Sequence, residues 1–136
     1  MTALAGSAAS NYSSIGALNV ANTPTLAITP AAVVATMADQ TKVYGQDDPS
    51  LASIGVSLAG VVNRTAAGSG AVATWNGAVD LDDTGNVGTT LSGLTRDVGE
   101  LVAGSPYSIT AGTLNVLSGS ASANYSSTGA LSVANS

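Results

Sequence analysis

The sequence predicts a mainly β chain, a compact β-rich repeat domain with at most one short helix. Three observations predict it. Val, Leu and Ile recur at alternate positions in short runs, Gly, Asn, Asp and Pro punctuate those runs, and one phrase occurs twice in register. Alternation carries weight because successive side chains of a strand point to opposite faces, so a period of two gives one face to bury. Charged residues make up 8% of the 136 residues, against roughly 25% in ordinary soluble domains. There is no Phe and a single Trp, so the expected core is thin and built from Ala, Val, Leu and Ile.

Taken in order, "AAVVAT" (31–36) reads as the first strand of the full unit. "DDPSLASIGVSLAGVV" (47–62) is the one place for a helix, with an acidic start and Leu51, Ile54 and Leu58 at helical spacing. Gly55 and Gly60 weaken that helix, and "VSLAGVV" (56–62) alternates Val56, Leu58 and Val62 as a strand would. "AVATWNGAVDL" (71–81) predicts a hairpin turning at Asn76-Gly77, the preferred two-residue type I′ loop. That register pairs Trp75 with Ala78 and Thr74 with Val79, and puts Val72, Thr74, Val79 and Leu81 on an apolar side. "TTLSGLT" (89–95) is a further strand. "PYSITAGTLNVL" (106–117) reads as two strands with a turn near Ala111-Gly112, and "GALSV" (129–133) sets Leu131 and Val133 on one face.

The repeated phrase is "LAGSAASNYSSIGALNVANT" (4–23) and "LSGSASANYSSTGALSVANS" (117–136), 14 of 20 positions identical at an offset of 113 residues. Such a period is too long for a solenoid, whose units run roughly 20–50 residues, and suits beads on a string. The expected organisation is a preceding repeat's C-terminal strands at 1–23 and one complete repeat domain at 24–136. Pro24 and Pro30 stiffen the junction. The alternatives are one closed domain with two similar hairpins, or an opening segment that adds a strand to the complete domain's edge.

Composition also bounds function. Net charge is −5, and Lys42, Arg64 and Arg96 are the only positive side chains. Nucleic-acid binding needs clustered basic residues, so none is expected. Nor is membrane insertion, since no apolar run approaches the ~20 residues that span a bilayer. With neither His nor Cys, the commonest general base and the thiol nucleophile are missing, and no phosphate-cradling glycine motif occurs. The expectation is a non-catalytic protein without a cofactor. Asp80, Asp82 and Asp83 in "DLDDTGN" are calcium candidates, imitating the first half of a calcium loop, but Leu91 stands where the loop's closing Glu belongs. Trp75, turned from the hairpin's apolar side, is the candidate for contact with a glycan or a neighbouring repeat. Lys42 is a formal candidate for an isopeptide bond, with no partner selected by the sequence.

Two stretches carry a family resemblance. "KVYGQDDPSL" (42–51), with Tyr44, Gly45, Asp48 and Pro49, resembles the opening signature of the MBG/YDG-type tandem repeat domains of large bacterial surface adhesins of the filamentous-haemagglutinin-like kind. "LTRDVGELVAGSPYSITAGTL" (94–114), with Arg96, Gly99, Glu100, Tyr107 and Gly112, resembles their closing half, and Asn124-Tyr125 their last Asn-Tyr. The resemblance covers residues 27–134; a longer middle (55–92) and Ser105-Pro106 depart from it. It implies a β-grasp-like or immunoglobulin-like unit in a stalk, on the bacterial cell surface or outside the cell. The implied partners are neighbouring repeats of the same chain. A glycan or surface protein, or self-association in fibrils or biofilm, are alternatives. The residues themselves read as folding signals: Asp and Pro set a turn after Tyr44-Gly45, Gly99 and Gly112 suit turns with positive φ, and Arg96 can pair with Glu100.

Overall fold

The computed structural model describes residues 5–13 and 22–133. It is mainly β, with 31% strand, small sheets and, among the described residues, no helix of seven or more residues. The expectation of strands in the opening stretch lies outside the described residues for 1–4 and 14–21. The helix considered at 47–62 reduces to a single 3-10 turn, Leu51–Ser53, after which Ile54 is already extended (φ −92, ψ 117). Gly55 follows, and nothing beyond it favours a helix over the alternating strand.

The strands are β1 (Ala31–Ala32), β2 (Val34–Met37), β3 (Val56–Ala59), β4 (Asn63–Arg64), β5 (Val72–Thr74), β6 (Gly77–Val79), β7 (Leu81–Asp82), β8 (Leu91–Arg96), β9 (Ile109–Leu114) and β10 (Tyr125–Ser126). Antiparallel pairs join β2 to β3, β4 to β7, β5 to β6 and β8 to β9, whereas β1 and β10 run parallel. Residues 129–132 knit the larger pairs together. Ser132 N–H donates to the Ala35 carbonyl at 2.8 Å, while Leu131 N–H reaches Gly112 and Leu114 N–H reaches Gly129, both at 2.9 Å. The bridge to β2 is parallel and that to β9 antiparallel. The spatial order is therefore β3, β2, residues 129–132, β9, β8.

Two small cores lie against this layer. Ala35, Ile54, Leu91 and Leu131 form one, packed by Met37, Leu51, Val56, Leu94 and Leu114. Val33, Ala121 and Tyr125 form the other, packed by Val61, Val62, Val87 and Leu117, and Leu58 touches both. The aliphatic expectation holds for the first core, but the second is organised around a tyrosine. Burying a Leu-sized side chain contributes roughly 1.5–3 kcal/mol. With few such side chains, each buried one is a large share of the stability.

Several local expectations change. The hairpin turns at Trp75-Asn76, pairing Val72 with Val79 and Thr74 with Gly77. A type I′ loop at Asn76-Gly77 requires positive φ at both residues; only Gly77 has it, at +116. Instead the Thr74 hydroxyl donates to Gly77 O (2.6 Å) and accepts Asn76 N–H (3.1 Å), fixing the reversal one residue earlier. Val72 and Val79 still share a face, but Leu81 leaves to pair with Arg64, and Val79 and Leu81 stay exposed. No second layer covers the hairpin. The turn expected near Ala111-Gly112 is absent, because β9 runs straight through it. Gly112 serves close packing: a Cβ there would sit 2.8 Å from Leu131 Cβ and 3.0 Å from Leu94 Cδ2. Only Gly99 of the two glycines has positive φ. At the last strand Leu131 is buried, whereas Val133, two residues on, is exposed.

Candidate functional site

The two stretches that carry the family resemblance meet in space. Residues 43–46 make a turn closed by Gln46 N–H donating to Val43 O at 3.0 Å, with Gly45 at φ +83. The turn leaves Lys42 and Asp48 side by side, facing Arg96 at the end of β8 and Glu100 just beyond it. Lys42 Nζ lies 2.7 Å from Asp48 Oδ1 and 2.6 Å from Glu100 Oε2. Arg96 grips Asp48 with Nε (2.9 Å) and Nη2 (3.1 Å), and Nη2 also pairs with Glu100. Its remaining nitrogen donates to the Gly99 and Asp97 carbonyls at 2.8 and 3.0 Å. Two cations and two carboxylates thus alternate around a ring, and the guanidinium is fully used.

Tyr107 closes the ring from below. The Arg96 guanidinium carbon is 5.6 Å from its ring centroid, a cation–π distance. The Tyr107 hydroxyl donates to Leu101 O at 2.8 Å. A Cβ on Gly99 would collide with that ring, and one on Gly104 would lie 2.7 Å from its hydroxyl. Both glycines are therefore space for the tyrosine. Pro49 lies beyond the turn, just before the 3-10 turn at Leu51–Ser53, which packs its Leu51 on the first core.

Electrostatically the ring holds every member ionised. Arg96 and then Lys42, by hydrogen bonding, bring the Asp48 carboxyl down to about 2. Lys42, followed by Arg96, lowers Glu100. The same bonds, Asp48 first, raise Lys42 and Arg96. An isopeptide bond from Lys42 would need an Asn beside its amine, and the groups the structure places against Lys42 Nζ are the carboxylates of Asp48 and Glu100. Around the ring, Lys42, Tyr44, Gly45, Gln46, Asp47 and Glu100 line a shallow open groove.

The other candidates lie apart from the ring. Gly112 is in the layer under Leu131, and Asn124 ends a 3-10 turn (Ser122–Asn124) that delivers Tyr125 to the second core. The Tyr125 hydroxyl accepts Val62 N–H at 2.9 Å and donates to Asp83 Oδ2 at 2.7 Å. Asp80 Oδ1 accepts Ala66 N–H (2.7 Å), and Asp82 Oδ1 accepts Thr84 N–H (3.0 Å). The three aspartates proposed for calcium each serve a different hydrogen bond. Among the described residues no three of His, Cys, Asp and Glu are placed to hold a metal together. Trp75 sits at the hairpin tip, 90% exposed.

Sequence reasoning missed two things here: Lys42 as a ring member, and Asp83 as the acceptor for Tyr125. The only signal for the first was a lone lysine opposite in charge to Asp48. The second, a contact across 42 residues, left none. No family model matches the chain, and neither the curated proteins nor the solved structures contain a match.

Proposed function

We propose that the chain is a non-catalytic structural repeat of a long bacterial surface or secreted adhesin, a bead that spaces a binding region from the cell. The observation that carries this reading is the phrase that occurs twice, 113 residues apart, with the same local backbone at residues 6–12 and 119–125. A unit that ends as its predecessor ends is what serial duplication of one bead leaves behind. The ionic ring supports it: residues that carry the resemblance to the adhesin repeats tie a turn to a strand end, which is the work of a fold clamp. The partners in this reading are neighbouring repeats, at the cell surface or outside the cell.

The test is a tandem protein carrying one further copy of residues 24–136. Small-angle scattering should show the maximum dimension growing by about one bead length, with each copy melting at the temperature of the single unit. A tandem no longer than the single chain would refute the spacer role. A second reading rests on Trp75, whose exposed ring at a hairpin tip is suited to stacking on a sugar or an apolar surface. Glycan-array or surface-protein binding that disappears in Trp75→Ala would favour that module over a passive stalk.

A further inference from the structure

The pairing of the strands sets two ends to the unit. Residues 129–132 run parallel to β2 and antiparallel to β9, and β9 is antiparallel to β8. The last strand, β2 and β8 therefore all point the same way. Because β2 leads on to Lys42 and β8 finishes at Arg96, the ionic ring sits at the end toward which the last strand runs. Residues 22–30 join β1 at the opposite end, where Ala31 pairs with Tyr125. β3 runs back against β2 and brings Val62 N–H to the Tyr125 hydroxyl, so the hairpin that carries Trp75 also springs from that opposite end.

The ring end carries a set of bare apolar side chains. Val43 and Tyr44 in its turn, and Val98, Leu101 and Val102 just beyond β8, are each 65% exposed or more. Lys42 and Asp48 grip Glu100 and Arg96 between the two groups, so both flank the same ring. Apolar side chains gathered on a surface mark a place of contact. A second bare stretch lies at the opposite end, where Leu26 and Ile28 are 70% and 91% exposed. They alternate with Thr25, Ala27 and Thr29 between Pro24 and Pro30, which hold the chain extended and turn both side chains to one side.

We infer that in the tandem array proposed above, on which this contact rests, residues 24–30 of each following copy lie across the ring end of the copy before. At the 113-residue offset Ser136 is the counterpart of Thr23, so the next copy's Pro24 follows it directly. Its Leu26 then comes six residues after Val133, a reach of about 20 Å at full extension. Crossing from β2 to β8 takes three strand spacings, about 14 Å, so the segment spans the end with length to spare. Thr23, with φ +48, bends the chain just before Pro24, away from the straight line of a strand. Leu26 and Ile28 thereby come against Val43, Tyr44, Leu101 and Val102. The partner is the copy before, because within its own copy the segment leads into β1 at the far end and leaves both side chains bare. The segment carries no charge, which suits a place beside four ionised groups that already pair with one another.

The test uses the tandem protein described above, the full chain followed by one further copy of residues 24–136. The chain has no Cys, so introduced thiols report one contact at a time. Under mild air oxidation, Tyr44→Cys in the first copy and Ile28→Cys in the second should form an intramolecular disulfide. It should form several times faster than the bond between Tyr44→Cys and Trp75→Cys of the second copy. Leu101→Ser and Val102→Ser in the first copy, with Leu26→Ser in the second, should slow it several-fold. A rate no greater than the hairpin pair's overturns the inference, as does a rate unmoved by the Ser changes, which marks nearness without docking. Every substituted side chain is exposed and outside both cores, so the variants keep the fold. Scattering separates the two readings. A tandem that lengthens without fast coupling keeps the spacer role and loses this contact, whereas one that couples without lengthening does the reverse.

Discussion

At residues 6–12 and again at 119–125 the chain makes the same turn, from a left-handed glycine through an Ala in the bridge region to an extended tyrosine. In both copies the closing bonds are alike, with Asn11 N–H to Ala8 O and Asn124 N–H to Ala121 O each at 3.0 Å. The surroundings are not alike. Tyr125 is 6% exposed and holds two hydrogen bonds across the second core, whereas Tyr12 is 72% exposed. Local sequence is therefore enough to set the turn, while burial is conferred by the residues that receive it. The stability of the unit should track the recipient and ignore the free-standing twin.

The sharpest way to break this comparison is to truncate both tyrosines. Tyr125→Ala removes the centre of the second core and should cost about 3–5 kcal/mol in urea unfolding, while Tyr12→Ala should stay within about 0.5 kcal/mol. Equal costs would mean that Tyr12 is also held. Next come the paired glycines. Both Gly6→Ala and Gly119→Ala strain a positive φ, but only at Gly119 does the new Cβ run into the Asn86 backbone carbonyl. Gly119→Ala should be the worse by about 1–3 kcal/mol, the usual scale of overpacking. Tyr125→Phe keeps the ring and leaves Val62 N–H and Asp83 without their partner, for about 1–2 kcal/mol.

The pH profile sharpens the comparison further. Burial, then the bond to Asp83, raises the Tyr125 hydroxyl above its ordinary value of 10.0. A raised folded value means stability that is full below pH 10 and falls as pH rises through the folded value. That alkaline loss should shrink in Tyr125→Phe, leaving the part due to the raised Lys42, and persist in Tyr12→Phe. The ionic ring gives a smaller, independent signature at the acid end. Asp48 is lowered to about 2 and Glu100 is lowered as well, so their contribution is full above the ordinary carboxylate range. It should drain away as pH falls from about 4 toward 2, and Arg96→Met should flatten that limb. The effect is modest because every ring member is partly exposed.

How much of this was legible differs by region for physical reasons. Alternation located β3 and, apart from the turn expected at Ala111-Gly112, β9, whereas β2 and β8 were legible from the Gly, Asn, Asp and Pro that bound them; each presents apolar residues to one of the two cores. The hairpin was legible as a hairpin, yet its register depended on a threonine hydroxyl that no pattern of apolar residues reports. Gly112 looked like a turn because glycine permits one, but the approach of Leu131, far along the chain, demands the same residue. The charged ring was half visible: Arg96 and Glu100 are four apart and pair locally, whereas Asp48 and Lys42 join them only after folding. Tyr125 stood out as part of a motif, and its burial against Asp83 and Val62 did not, since neither partner is near it in sequence.

The middle position in the layer belongs to residues 129–132, between β2 and β9. A chain that emerges from a ribosome with its N-terminus first therefore makes both flanking strands, β2 well before β9, ahead of the strand that joins them. Contact between Ala35 and Leu131 closes a loop spanning most of the unit, the kind of non-local pairing that slows folding to milliseconds or longer. Until that strand arrives, β2 and β9 have open edges and the first core lacks Leu131. Synthesis from the N-terminus thus leaves the layer in two separate strand pairs until residues 129–132 are made.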